Sequence, residues 1–316
     1  MTKILITGGS GFLGRHLVDP LRNLGYEVWL SGRNNKQNQF AYQLTKANTV
    51  PLDITSENSL DDILSYIRPE IIIHAAATKF VDLSEKYPME CIDVNVYGSQ
   101  NVARAAIRHN VKQVIGISTD KAAPPVRNIY GMSKALMEKM FCLLNGKTDT
   151  QFACVRYGNV AWSTGSVLPI WEKSIREKNL IQTTGPEMYR FFFSINEAVD
   201  LVVNCLNNMD KVQGKTLSLN MKAAQMKRII EVWSNMTGCS WEQIEGRPGE
   251  RDVEWLVSDA ERKFTEEFYI NNKLHYLLHQ NHTPENHLTE DIHSGKVSQL
   301  TNEEIEVILN SKPIDA

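Results

Sequence analysis

The sequence predicts an α/β fold: a doubly wound parallel sheet with helices on both faces, and a smaller α/β lobe towards the C-terminus. Three observations carry the prediction. Short β-branched runs alternate with segments of helical period through the first 160 residues, as in strand–helix–strand units whose strands pair in parallel. The fourth run, EIIIHAAA from Glu70, is apolar, as a central strand covered on both faces must be. A glycine-rich turn joins the first run to the first helical segment.

The elements follow in order. KILIT (Lys3 to Thr7) is the first strand, and Leu13, Leu17, Leu21 and Leu24 then recur at helical spacing. Pro20 lies inside that helix, where it removes a backbone hydrogen bond and should bend the axis. EVWLSG and TVPLD are the second and third strands. Leu60, Ile63, Leu64 and Ile67 match one helical face, which Pro69 stops. QVIGIST and FACVRYG supply the fifth and sixth strands. After Asn159 the regularity fades, although INEAVDLVVNCLNNM reads as a helix and KTLSLN as a strand returning to the sheet. Residues 223–316 are more polar, with helical stretches AQMKRIIEVWSNMTG and NEEIEVILN between Gly-, Pro- and His-containing loops. His275, His279, His282, His287 and His293 are irregularly spaced with no cysteine beside them, and read as a solvated tail, not a metal site.

Composition narrows the function. The chain has 316 residues, 42% of them hydrophobic, which suffices for a core. Thirty-four basic against 37 acidic residues leave a net charge of −3, so bulk charge supports neither a nucleic-acid partner nor an anionic membrane surface. No apolar stretch approaches the roughly 18 residues that suggest a bilayer span. The N-terminus enters a strand at once and does not read as a signal peptide. Five cysteines without a CxxC pair predict free thiols in a reducing, cytoplasmic setting.

TGGSGFLG (Thr7, Gly8, Gly11, Phe12, Leu13, Gly14) has the spacing of a dinucleotide turn. Its glycines permit the tight turn, the approach of a pyrophosphate and close helix–strand packing. The helix start offers unpaired N–H groups to the diphosphate. The second strand ends in Ser31-Gly32-Arg33-Asn34, without the acid that would hold a ribose 2′-hydroxyl. The planar fork of Arg33 suits a 2′-phosphate instead, so NADP is expected over NAD. Asp53 and Ile54 are candidate adenine contacts, Asp53 equally a helix cap. Ala75, after the fourth strand, completes the cofactor set.

Tyr130 and Lys134 stand four residues apart on one helical face, where a cation should lower the phenol pKa towards that of a general base. Thr119 ends the fifth strand, placed to hold the substrate oxygen. Asp120 and Lys121 add an acid and a base at the strand end, although either could be a loop charge.

This combination resembles the extended branch of the short-chain dehydrogenase/reductase superfamily. ISTDKAAPPVRNIYGMSKALMEKMF further resembles the catalytic segment of UDP-N-acetylglucosamine 4,6-dehydratases of bacterial polysaccharide and nonulosonic-acid biosynthesis. HAAATKFVDLSEKYPMECIDVNVYGSQNV, RYGNVAWSTGSVLPIW, GPEMYRFFFSINEAV, RPGERDVEWLVSDAE and SGKVSQLTNEE extend that resemblance along most of the chain. The related dTDP-glucose enzymes carry Thr-Asp-Glu where this chain has Thr119-Asp120-Lys121. The placing of these motifs divides the chain into a Rossmann unit over 1–165 and about 195–222, and a substrate lobe over 166–194 and 223–316. The resemblance assigns Asp120, Lys121 and Tyr130 to catalysis, and Lys134 to supporting the tyrosine and the nicotinamide ribose. Lys79, Asn159, Arg190, Arg247 and Glu250 would meet the substrate, favoured as UDP-GlcNAc. A homodimer or higher homo-oligomer is expected by analogy. One departure stands out: Lys121 to Tyr130 spans nine residues where eight are expected in the inverting members. The alternatives are a nucleotide-sugar 4-epimerase, a simple NADP oxidoreductase, and a non-catalytic NADP-binding protein on the same fold.

Overall fold

The computed structural model describes residues 1–246 and 249–315. The N-terminal half runs β1 (Lys3–Thr7), α1 (Phe12–Asn23), β2 (Glu27–Gly32), α2 (Asn35–Thr45), β3 (Asn48–Pro51), α3 (Glu57–Ile67) and β4 (Ile71–His74). Then come α4 (Val81–Lys86), α5 (Pro88–Ile92), a π-turn at Asp93–Tyr97, α6 (Gly98–Arg108), β5 (Gln113–Ile117), α7 (Ile129–Leu144) and β6 (Gln151–Arg156). The remainder holds β7 (Asn159–Val160), α8 (Val167–Lys178), β8 (Leu180–Thr183), β9 (Tyr189–Phe193), α9 (Ile195–Asn207), α10 (Met209–Val212) and β10 (Lys215–Leu219). After these lie β11 (Ala223–Gln225), α11 (Met226–Thr237), β12 (Ser240–Gln243), β13 (Trp255–Val257), β14 (Thr265–Ile270), β15 (Lys273–His279), β16 (Ile292–His293) and α12 (Asn302–Asn310).

The main sheet has nine strands in the order β14-β15-β10-β6-β5-β4-β1-β2-β3, parallel from β10 through β3. Strand period sets its two-sidedness. Ile4 and Ile6 enter the core beneath α1 and α9, while Leu5 between them enters the opposite core with Val102, Val114 and Phe141. Each face is thus covered by helices, and the expected doubly wound fold is present. Chain order reverses between β1 and β4, and the crevice at their C-terminal ends is where such sheets bind ligands. Helix α1 continues through Pro20 to Asn23, with Leu17, Val18 and Leu21 fully buried.

Two features depart from the sequence expectation. α2 had no counterpart in it, because its face contributes only Asn38 and Ala41 to the interior. The supposed polar tail contains a hairpin, β14–β15, whose turn residues Asn271 and Asn272 both take positive φ (51° and 60°). β15 pairs antiparallel with β10, so this segment extends the main sheet, and His275 is buried within it. The substrate-side elements form smaller sheets: β11-β9-β7, the parallel pair β8/β12 and the antiparallel pair β13/β16. Among the described residues, no helix is long and apolar enough to cross a membrane.

Candidate active site

A cavity of about 1210 Å³ runs from the glycine turn to the ends of β5 and β6. Gly8, Gly11, Phe12, Leu13 and Gly14 form one end of it. Gly8 has φ 66°, and a Cβ there would come within 2.7 Å of the Ala76 backbone. That approach brings the turn against the end of β4. Gly11 caps α1 with no side-chain hydrogen bond, leaving the first-turn N–H groups to a ligand. This cradle fits a dinucleotide diphosphate. Thr7 is set behind the wall, its hydroxyl 2.7 Å from His74 Nδ1. Burial drives His74 down to about 3, aided by the charge of Lys134.

Ser31, Arg33, Asp53, Ile54 and Ala75 line the same end. Arg33 is half exposed and pairs with Glu90 at 3.6 Å. Asp53 accepts from the Thr55 N–H and hydroxyl at 2.9 and 2.8 Å, while Ser56 caps α3. The sequence reading missed Arg15. It is buried beside the turn, stacks over Phe40 and pairs with Asp315 at 2.6 Å, and both residues line the cavity. Only the fold reveals this contact, because the partners lie 300 residues apart.

At the other end, Asn128 caps α7 by accepting from the Gly131 N–H at 2.7 Å, which starts the helix so that Tyr130 falls in its first turn. A Cβ on Gly131 would strike the Lys121 carbonyl, so this glycine lets α7 lie against the turn bearing Asp120 and Lys121. Asn95, presented by the π-turn, donates to Ser133 at 3.0 Å and accepts from the Thr78 N–H at 2.9 Å. It ties α7 to the loop carrying Lys79.

The expected lowering of the Tyr130 pKa is not found. Burial pushes the phenol up to about 12, and the cation that opposes this is Lys121, not Lys134. Lys134 is buried against Met137 Sδ at 3.6 Å, and desolvation lowers it to about 8.

Thr119 caps the short turn Asp120–Ala122 and donates to Asp120 Oδ1 at 3.0 Å. Lys121 Nζ donates to the same oxygen, also at 3.0 Å. Asp120 is fully buried, and its Oδ2 has no hydrogen-bond partner among the described residues. A Cβ on Gly158 would stand 3.0 Å from that oxygen, so glycine there keeps it clear. Thr119, Lys121, Tyr130 and Lys134 line the cavity together. Burial alone would depress the Lys121 ammonium, but Asp120 and Glu254 outweigh that and hold its pKa above the ordinary lysine value.

Lys79 and Asn159 also line the cavity, Lys79 donating to the Thr164 carbonyl. Arg190 is not in its wall: the guanidinium is held by the carbonyls of Tyr189 (2.9 Å) and Asp252 (3.4 Å). Glu250 also lies off the wall and accepts from Thr184 at 3.1 Å. Arg247 lies outside the described residues.

Residues 4–273 match the family described as "Polysaccharide biosynthesis protein". A UDP-glucose 4-epimerase of Rickettsia bellii is 34% identical over 277 residues, covering 82% of this chain and 78% of its own. An uncharacterized membrane protein of Methanocaldococcus jannaschii is 34% identical over 274 residues, covering 82% and 81%. Among solved structures, Pen from Bacillus thuringiensis superposes with a TM-score of 0.89 at 26% identity, over 98% of this chain and 97% of that one. A Thermus thermophilus UDP-glucose 4-epimerase in complex with NAD shares the fold, with TM-score 0.70 and 18% identity over 79% and 89%.

Proposed function

The chain belongs to the polysaccharide biosynthesis protein family, extended short-chain dehydrogenases/reductases that modify nucleotide sugars, and from that premise we propose that it is a 4,6-dehydratase acting on UDP-GlcNAc with NADP. The observation that carries the proposal is the Asp120–Lys121 pair, joined at 3.0 Å, with Lys121 in the cavity wall beside Thr119 and Tyr130 and Asp120 buried behind it. Oxidation at C4 needs only a hydroxyl-holding group, a phenol and a supporting ammonium. Loss of water from C5 and C6 needs one more base and one more acid.

Thr119 holds the sugar O4 while Tyr130 removes its proton. A nicotinamide dinucleotide held at the glycine turn and beside Lys134 would supply the two-electron oxidation at C4 and reduction at C6, and its positive charge would favour the phenolate of Tyr130 against the burial that opposes it. The C4 ketone acidifies the C5 proton. Asp120 and Lys121 share one proton across their hydrogen bond; moving it from nitrogen to oxygen leaves a neutral amine and a carboxylic acid, an exchange that a dry site favours. Lys121 then takes the C5 proton and Asp120 protonates the departing C6 hydroxyl, leaving the pair ionised. As two electrons return to C6, Lys121 gives a solvent-exchanged proton back to C5, and the O4 proton held by Tyr130 returns to the Asp120–Lys121 pair, which restores the starting state.

Incubation with UDP-GlcNAc tests this directly. Loss of one water, no net change in nicotinamide absorbance and deuterium from heavy water at C5 are expected. The relatives named UDP-glucose 4-epimerase favour a second reading, epimerisation at C4, for which Thr119, Tyr130 and Lys134 suffice. An inverted sugar of unchanged mass would replace the dehydratase with that epimerase.

A further inference from the structure

A second buried carboxylate stands beside Lys121, and the chemistry above does not use it. Glu254 is 3% exposed, and its Oε1 lies 3.7 Å from Lys121 Nζ, while Asp120 Oδ1 lies 3.0 Å from the same nitrogen. Its backbone is pinned to Ser294, the N–H donating to the serine hydroxyl at 3.0 Å and the carbonyl accepting from the serine N–H at 2.9 Å. Its Oε2 accepts no hydrogen bond among the described residues and stands 3.6 Å from Arg251. Arg251, itself buried, holds the carbonyls of Lys121 and Ala123 at 3.3 and 3.4 Å. The segment approaching β13 therefore grips both ends of the lysine, its backbone and its ammonium. A carboxylate desolvated this far is costly unless a cation answers it.

We propose that Glu254 is a positioning residue for Lys121, providing the counter-charge that Asp120 cannot give while it serves as the acid. This rests on the dehydratase reading. Before elimination Asp120 is neutral and carries the proton destined for the C6 oxygen. As the C5–H bond breaks, its proton and positive charge arrive on Lys121, and the C6–O bond breaks with the Asp120 proton leaving in water. While charge is building on nitrogen, Glu254 is the carboxylate already formed. It raises the basicity of the amine and keeps Nζ on the cavity side of the turn. The ionisable groups facing this site are Asp120 and Lys121 on the turn after β5, Tyr130 on α7, Arg190 on β9, and Arg251 on the segment of Glu254 itself. Burial raises the Glu254 pKa, and the cations Lys121, Arg190 and Arg251 counter that rise.

The test uses the full chain carrying Glu254→Gln, which keeps the shape and removes the charge. Competitive acetylation with acetic anhydride, read by peptide mass spectrometry across pH, reports the basicity of Lys121 without any substrate. The titration of Lys121 is expected to move down by about one unit or more. With UDP-GlcNAc, kcat should fall at least about tenfold with KM little changed, and the alkaline limb of the kcat profile should move down in step. Glu254→Asp should recover part of both, and covers the case in which the glutamine variant does not fold. An unchanged labelling curve in a folded variant overturns the proposal. If the wild type forms product without losing water, the dehydratase reading fails, and the elimination role of Glu254 with it. If the wild type loses water and the variant keeps its kcat and pH profile, only the proposal fails.

Discussion

Asp315 and Arg15 set a charge balance at the cofactor end of the cavity. The carboxylate occupies a guanidinium that stands beside the dinucleotide turn, so it competes with any phosphate brought there. Asp315→Ala should therefore tighten NADP binding severalfold, measured by fluorescence titration. On the proposed NADP reading, in which the 2′-phosphate meets the fork of Arg33, Arg33→Ala should weaken NADP by about 1.5–3 kcal/mol while leaving NAD nearly unaffected. Lys121→Ala should oxidise C4 and then stall, with reduced nicotinamide accumulating and no deuterium entering C5. His74 gives a prediction for stability. Its pKa falls from 6.5 to about 3 on folding, so the unfolded chain binds the extra proton between those values. Stability contributed by the neutral ring is complete above pH 6.5 and is lost as pH falls through that window. About 2–3 kcal/mol should be gone by pH 4.5. Urea unfolding at pH 7 and 4.5 should show that slope in the wild type, and less of it in His74→Gln.

Helices and strands were legible where period and punctuation agreed. β1 and β2 match the runs KILIT and EVWLSG residue for residue, and α3 ends at Ile67 with Arg68 in the left-handed region ahead of Pro69. The β14–β15 hairpin was not read: β14 alternates only from Glu266 to Ile270, and β15 is buried continuously from His275 to Leu278. Its inward positions include Thr265 and His275, polar residues that a hydrophobic pattern passes over. The Asp120–Lys121 pair was legible as candidate chemistry, since the two residues are adjacent in sequence. Glu254 and Arg251 were not, because their partner is on another segment. The same limit hid the link between α7 and the substrate side. Arg156 on β6 bonds Glu138 on α7 at 3.0 Å, Glu261 at 2.9 and 3.0 Å, and the Leu256 carbonyl at 2.9 Å. Arg156→Met would leave two carboxylates facing each other without a cation, one of them fully buried. A loss of about 3–5 kcal/mol is expected in denaturant unfolding. Arg156→Met together with Glu138→Leu and Glu261→Leu should recover much of it.

For the molecule as a whole, the cofactor end and the reacting end share one sheet, while groups from both halves of the sequence meet above it. The pairing of Arg15 with Asp315 closes that arrangement across 300 residues. The order of synthesis gives this contact a further meaning. At about 5–20 residues per second, the first helix waits roughly 15–60 s for its partner to leave the ribosome. During that interval Arg15 has the Ser10 carbonyl and the Phe40 ring but not the carboxylate of Asp315. A nascent chain can therefore load its dinucleotide before Asp315 arrives to compete, and a long-range contact of this kind is among the last the fold can make.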